Sequence, residues 1–99
     1  MAQIRKAHWI PLALRDLNEA RDYITQERPS AARGIIHQVE RALDALVQYP
    51  QIGRGGRVTG MRELYIVNTP FLIAYRASQG RLAILAFMHA ARRWPGSFD

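Results

Sequence analysis

The stretch RLAILAFMHAARRWP, from Arg81 to Pro95, changes within a few residues from apolar to strongly basic. Seven consecutive apolar residues, from Leu82 to Met88, are too few to span a membrane and are apolar on both alternating faces. That pattern is typical of an interior strand of a sheet. The basic residues Arg92 and Arg93 follow this run, with His89 at the junction. The stretch therefore predicts a buried strand that ends at a basic site.

Two further apolar runs precede this strand, MRELYIV over residues 61–67 and FLIAYRA over residues 71–77. Turn-forming residues separate the three runs: Asn, Thr and Pro at 68–70, and Ser, Gln and Gly at 78–80. Short extended runs with such separators predict a three-stranded antiparallel meander. Arg62 and Arg76 lie near strand ends, and we expect both to point off the sheet.

The first half of the chain has a different period. A short stretch over residues 3–9 predicts a strand, and its lysine and arginine suit a sheet edge. Apolar residues at three- and four-residue steps then predict two helices, one over residues 11–26 and one capped by Ser30 that ends at Tyr49-Pro50. We expect these helices to form a hairpin that packs on one sheet face, which gives an α+β fold.

The segment QIGRGGRVTG, over residues 51–60, links the second helix to the meander. Its part from Gly53 to Gly60 has the glycine content of a phosphate-binding loop but neither glycine motif in front of a helix, so a flexible connection is the preferred interpretation there. Gly34 lies inside the second helix, where we interpret it as a mark of close approach to the first.

Composition narrows the functional classes. Ninety-nine residues, of which 48% are hydrophobic, predict a single domain over residues 1–99. The chain has no cysteine, and its first residues lack the apolar core of a signal peptide, so we expect a cytoplasmic protein. Its net charge is +6, and residues 45–99 hold seven arginines against two acids. That excess predicts an anionic partner, such as nucleic acid or an acidic protein.

Short motifs in a fixed order carry a resemblance over nearly the whole chain. They are Asp16-Leu17, Asp22-Tyr23-Ile24, Pro29 with Ala31-Ala32, Tyr49-Pro50 with Gly53, Gly60-Met61-Arg62-Glu63-Leu64, Pro70, Tyr75-Arg76, Ile84-Leu85, and His89 followed by Arg93-Trp94-Pro95. In this order and spacing they resemble the RelE/ParE superfamily, the toxins of type II toxin-antitoxin modules.

The resemblance implies a growth-inhibiting toxin that a cognate antitoxin holds inactive. Superfamily members either inhibit DNA gyrase, as ParE toxins do, or cleave mRNA in the ribosome, as RelE toxins do. It further implies an acidic, amphipathic antitoxin segment, contact with operator DNA through the antitoxin, no membrane partner and no cofactor. A plain nucleic-acid-binding module is a third, blander hypothesis.

Metal-free RNA cleavage needs a general base, a general acid and cations near the phosphate. By the resemblance, His89, Arg62 and Arg76 would supply these groups if the protein is an enzyme. Tyr65 and Tyr75, which lie on the predicted strands, stay open as further candidates for proton transfer. Each residue has a structural alternative. The histidine could be a structural residue held by hydrogen bonds, and the arginines could form ion pairs with nearby carboxylates.

By the resemblance, an endonuclease site would use a lysine or a C-terminal tyrosine. Lys6 is the only lysine, and Trp94, in the C-terminal segment, cannot exchange a proton. The binding-only ParE hypothesis is therefore preferred.

The other arginines of residues 45–99 are predicted to bind the target or nucleic acid. Trp94 could stack on a base, although packing onto the core is the preferred interpretation. His8 and His37 lack partners at metal-ligand spacing, so no metal site is expected. The predicted binding residues are Arg54, Arg57, Arg81, Arg92, Arg93 and Trp94.

Overall fold

The computed structural model describes residues 7–56 and 58–90. Within those ranges it has two helices and a five-stranded mixed sheet, which confirms the α+β class. The predicted strand residues 3–6 and the basic residues Arg57, Arg92, Arg93 and Trp94 lie outside the described residues. The elements are β1 (Ala7–Trp9), α1 (Pro11–Glu27), α2 (Pro29–Gln48), β2 (Arg54–Gly55), β3 (Arg62–Tyr65), β4 (Phe71–Ser78) and β5 (Arg81–His89).

The sheet has the order β1-β5-β4-β3-β2. Strands β2 to β5 pair antiparallel, so the predicted meander is confirmed, and β1 adds to β5 in parallel. The apolar strand β5 is therefore interior, with β1 and β4 on its two sides, as its two apolar faces predicted. Strand β1 lies at the edge, also as predicted.

Both helices begin with a proline at the first helical position, Pro11 in α1 and Pro29 in α2. The predicted Ser30 cap is wrong, because the N-cap of α2 is Arg28 and no side chain bonds the helix end. Proline at this position has the helical φ already and lacks the N–H that a cap would satisfy, so α2 starts two residues earlier than a Ser30 cap would place it. The N–H of Arg28 closes α1 on the carbonyl oxygen of Ile24.

The main core lies between the helices and one face of the sheet, called here the helix face. Its strand residues come from alternate positions, as expected for side chains that point to one side of a pleated strand. A second buried apolar cluster occupies the opposite face. The helix face contributes Ile73, Tyr75, Ile84 and Phe87 to the core with Ala13, Val39, Leu43 and Leu46 of the helices, and the opposite cluster contains Met61, Leu72, Ala74, Leu85, Ala86 and Met88.

A bulge in β5 decides which way its end faces. Tyr75 pairs with Ile84 but Ala74 pairs with Ala86, so Leu85 is the extra residue. One extra residue reverses the alternation beyond it. The first half of β5 therefore has its odd-numbered residues on the opposite face, whereas His89, paired with Phe71, lies on the helix face.

The link between α2 and the meander is more ordered than its composition predicted. Arg54 and Gly55 pair with Glu63 and Arg62, and the N–H of Gly56 donates to Met61 at 2.8 Å. The prediction of a flexible connection from Gly53 to Gly60 is therefore wrong for residues 53–56. A two-residue strand that contains glycine has no measurable alternation, and so it could not be detected in the sequence.

Candidate target-binding face

Within the described ranges, three exposed arginines lie on the sheet face opposite the helices. Arg76 is across from Ala83 in β5, and Arg81 is across from Ser78 in β4. Arg54 is across from Glu63, which is itself across from Ala74. Since directly paired residues share a face, Arg54, Arg76 and Arg81 form one surface, called here the basic face.

Arg54 is held by its neighbours on β3. Its guanidinium carbon lies 4.7 Å from the centre of the Tyr65 ring, and its Nη2 donates to the Tyr65 hydroxyl at 3.1 Å. The same Nη2 lies 4.0 Å from Oε1 of Glu63. The arginine side chain remains 69% exposed while Glu63 is only 2% exposed. A guanidinium oriented in this way keeps free N–H groups for a carboxylate or phosphate from a partner.

The sequence pattern does not assign Glu63 to the site, and it gives Tyr65 only as a further candidate for proton transfer. Both lie on the basic face because β3 places its odd-numbered residues there. The alternation in MRELYIV could have revealed that Glu63 and Tyr65 share a face. Their contact with Arg54 could not be read, because it depends on the pairing with β2.

Arg62 is not part of the basic face. It pairs with Tyr75 on the helix face, and its Nη1 donates to the carbonyl oxygen of Gly53 at 2.7 Å and to that of Gln51 at 3.3 Å. Its Nη2 donates to the Gln51 side-chain oxygen at 2.6 Å. Arg62 therefore fixes the Pro50–Gly53 loop. The local pairing given above as the structural alternative for Arg62 is observed, but its partners are backbone and side-chain amide oxygens and not carboxylates.

Tyr75 fixes the same loop from inside the core. Its hydroxyl donates to the carbonyl oxygen of Pro50 at 2.8 Å and accepts the N–H of Gly53 at 2.8 Å. Burial raises the pKa of the Tyr75 phenol, while the Gly53 hydrogen bond and the charge of Arg62 act in the opposite direction. The Pro50–Gly53 loop is thus anchored to two neighbouring strands.

His89 lies away from both strand arginines. It pairs with Phe71, five residues before Arg76 on β4, which corresponds to about 17 Å along the strand. Its ring meets the Phe71 ring edge-on, with centres 5.8 Å apart. His89 and Arg76 also point to opposite faces. The structure therefore does not bring His89, Arg62 and Arg76 together.

Two concave regions lie along α1. The hairpin groove, between α1 and α2, measures about 170 Å³ and is lined mainly by apolar residues. The acidic cleft, between α1 and the ends of β4 and β5, measures about 720 Å³. The groove includes Leu17, Ala20, Ile24, Ile36, Val39, Leu43 and Phe87, and the cleft includes Asp16, Glu19, Ala20, Tyr23, Phe71, Phe87 and His89.

In residues 7–56 and 58–90, no group of three or more His, Asp or Glu residues is placed to hold a metal ion. Neither helix in those ranges combines the length and the apolar character needed to cross a membrane.

A helical hairpin on one side of a mixed sheet, with exposed arginines on the other side, defines a small α+β protein with a basic surface. A family model described as the ParE toxin of the type II toxin-antitoxin system parDE matches residues 7–94. The chain therefore belongs to the ParE toxin family and is the toxin of a type II toxin-antitoxin system, a class of protein that has a cognate antitoxin.

Individual relatives agree with this assignment. The chain is 40% identical over 91 residues to Y4kP of Sinorhizobium fredii, a protein described as a toxin. The match covers 92% of this chain and 94% of that protein. It is also 40% identical over 84 residues to Toxin RelE2 of Caulobacter vibrioides, over 85% and 93% of the two chains. A solved structure of the chromosomal ParDE system of P. aeruginosa has the same fold, with a TM-score of 0.73, 23% identity and coverage of 84% and 92%. The predicted RelE/ParE resemblance is confirmed.

Proposed function

We propose that this toxin blocks bacterial growth by binding DNA gyrase in the cytoplasm through the basic face, without chemistry of its own. The observation that carries this proposal is the separation of His89 from the strand arginines. General acid-base catalysis requires the proton-transferring group within hydrogen-bond reach of the reacting atoms. A histidine about 17 Å from Arg76 and on the other face does not meet that requirement.

The ParE family match supports the same target class, since gyrase inhibition is what resemblance to ParE toxins implies. The basic face suits a large acidic partner because arginine binds carboxylates and phosphates in a fixed geometry. Arg54 and Arg76 are both exposed, so they can form such contacts without a change in the core.

The antitoxin is proposed to dock on the helical side, in the hairpin groove. Helix α1 buries only Ala13 and Ile24 within its length, and Leu17 and Ala20, which line the groove, are only partly buried. An amphipathic antitoxin helix or strand would cover this apolar surface and fold as it binds. The toxin's net charge of +6 would attract acidic residues elsewhere in the antitoxin segment and speed the encounter of the two proteins. Contact with operator DNA would then occur through the antitoxin.

A ribosome-dependent mRNA endonuclease is the second candidate. The observation that favours it is the presence of the exposed Tyr65 on the same face as Arg54 and Arg76. A phenol and two guanidinium groups are among the kinds of group that metal-free RNA cleavage uses. In that case the chemistry would occur on the basic face, without His89.

One pair of assays separates the two candidates. Purified toxin is added to a gyrase supercoiling reaction and, separately, to translating ribosomes with end-labelled mRNA. We expect loss of supercoiling with intact mRNA. Cuts in phase with codons, together with unaffected supercoiling, would overturn the gyrase proposal in favour of the nuclease. Activity in neither assay would leave plain nucleic-acid binding, which a growth test without antitoxin then checks.

A further inference from the structure

The acidic cleft differs in chemistry from the hairpin groove beside it. Among the described residues, the groove is lined mainly by aliphatic side chains, and its two charged residues, Arg21 and Glu40, are of opposite sign. The cleft instead carries the carboxylates of Asp16 and Glu19, without an arginine or lysine in the described part of its lining. Ala20 and Phe87 line both regions, so the two are continuous along α1. A segment bound in the groove can therefore extend directly into the cleft.

Aromatic rings form the other wall of the acidic cleft. Phe71 and Phe87 stack with ring centres 5.2 Å apart, and the His89 ring meets Phe71 edge-on. Tyr23 stands at the α1 side and is 64% exposed. Carboxylates that face aromatic rings form an environment that favours a guanidinium or ammonium group, through ion pairing on one side and cation–π attraction on the other.

The charge of the cleft contrasts with that of the rest of the protein. The chain carries a net charge of +6, yet the two charged residues that line the cleft are acids. Glu19 lies 4.0 Å from Arg15, but both side chains are well exposed, at 70% and 64%. Exposed pairs of this kind are weak and rearrange easily, so the Glu19 carboxylate can turn to a ligand.

We infer that the acidic cleft binds a basic side chain of the antitoxin, an arginine or a lysine, while apolar neighbours of that residue enter the hairpin groove. This inference rests on the proposed docking of the antitoxin along α1. A volume of about 720 Å³ lies within the range of ordinary ligand pockets, so one long side chain and part of its backbone can enter. The docking segment is then of mixed charge, with a cation next to its apolar anchors.

The test uses full-length toxin and two blocked tripeptides, N-acetyl-Leu-Arg-Leu-amide and N-acetyl-Leu-Glu-Leu-amide, titrated while backbone amide shifts are followed by NMR. We expect saturable shifts at Ala20, Phe71 and His89 with the arginine peptide and none with the glutamate peptide. The double variant D16N/E19Q should raise the dissociation constant of the arginine peptide by roughly three- to tenfold. The matched control D22N/E27Q removes the same charge from the same helix away from the cleft, and should bind as the unmodified toxin does.

Equal shifts with both tripeptides, no saturable shift with either, or unchanged affinity in D16N/E19Q would each overturn the inference. If the double variant melts early, the single variant E19Q gives the same test at an exposed position. Because the titration involves neither gyrase nor mRNA, its failure is distinct from failure of the proposed toxic activity. If the cognate antitoxin binds the toxin elsewhere, the complex will form but the amide signal of Ala20 will not shift. That outcome would overturn the proposed docking along α1.

Discussion

The two faces of the sheet use arginine for different purposes. On the helix face, the Arg62 guanidinium donates hydrogen bonds to the carbonyl oxygens of Gly53 and Gln51 and to the Gln51 side chain. On the basic face, Arg76 is exposed at the end of β4. Both residues lie near strand ends in similar sequence contexts, and only the alternation of the strand separates them. One arginine stabilises a loop, and the other remains available to a partner.

The comparison predicts the largest loss of stability where the Pro50–Gly53 loop meets the core. A Cβ at Gly53 would overlap the Tyr75 hydroxyl and lie 2.7 Å from Tyr75 Cε1 and 2.9 Å from the Glu63 carbonyl oxygen. We expect Gly53→Ala to lower the free energy of unfolding by about 3 kcal/mol, through overpacking and a lost hydrogen bond. Urea denaturation followed by circular dichroism measures this change.

Gly34 provides the matched control. A Cβ there meets nothing within 4 Å, which corrects the interpretation of Gly34 as a point of close helix approach. Gly34→Ala should raise the free energy of unfolding by about 0.5–1 kcal/mol, because alanine favours a helix interior. Equal destabilisation by both substitutions would contradict the role given to the loop.

The next largest effect is expected at Tyr75. Tyr75→Phe leaves the N–H of Gly53 and the carbonyl oxygen of Pro50 without their partner, at a cost of about 2 kcal/mol. Because burial raises the pKa of the Tyr75 phenol in the folded state, its contribution is fully present below the ordinary pKa of 10.0 and is lost as the pH rises through the folded value. Stability of the unmodified protein should therefore fall more steeply above pH 10 than that of Tyr75→Phe. Parallel alkaline profiles would refute this account.

A smaller effect on stability should separate the two arginines directly. Arg62→Gln removes three hydrogen bonds at a partly exposed site and should cost about 1 kcal/mol, with target binding unchanged. Arg76→Gln should change stability by less than about 0.5 kcal/mol and should weaken growth inhibition. Thermal melts and growth assays of the two variants give both readouts. The reverse pattern would show that the faces have been assigned the wrong way round.

The smallest effect is expected at His89. It lies on the helix face, at the acidic cleft, and not among the exposed arginines. Growth inhibition by His89→Gln should therefore remain within about twofold of the unmodified toxin, a change that corresponds to less than 0.5 kcal/mol in binding. A loss of toxicity with normal stability would restore His89 to a catalytic role.

The two long strands of the meander were predictable because they are mainly apolar runs of eight and nine residues bounded by turn-forming residues, and the second is apolar on both faces, as an interior strand is. The sequence could not reveal the bulge at Leu85, since an extra residue inside a continuous apolar run does not disturb the pattern. Without that bulge, His89 would have shared a face with Arg81, and the predicted catalytic group would have been more compact. The site was misjudged because face assignment depends on pairing register, which a single strand does not encode.

The central claim is that toxicity depends on the basic face. It is tested by comparing R54Q/R76Q/R81Q with the matched control R28Q/R33Q/R41Q, which removes three exposed arginines from the helical side. In a supercoiling titration we predict that the first variant needs about tenfold more protein for half-inhibition, since three weakened charge contacts amount to about 1.4 kcal/mol. The control should inhibit as the unmodified toxin does. Equal inhibition by the two variants would contradict the account.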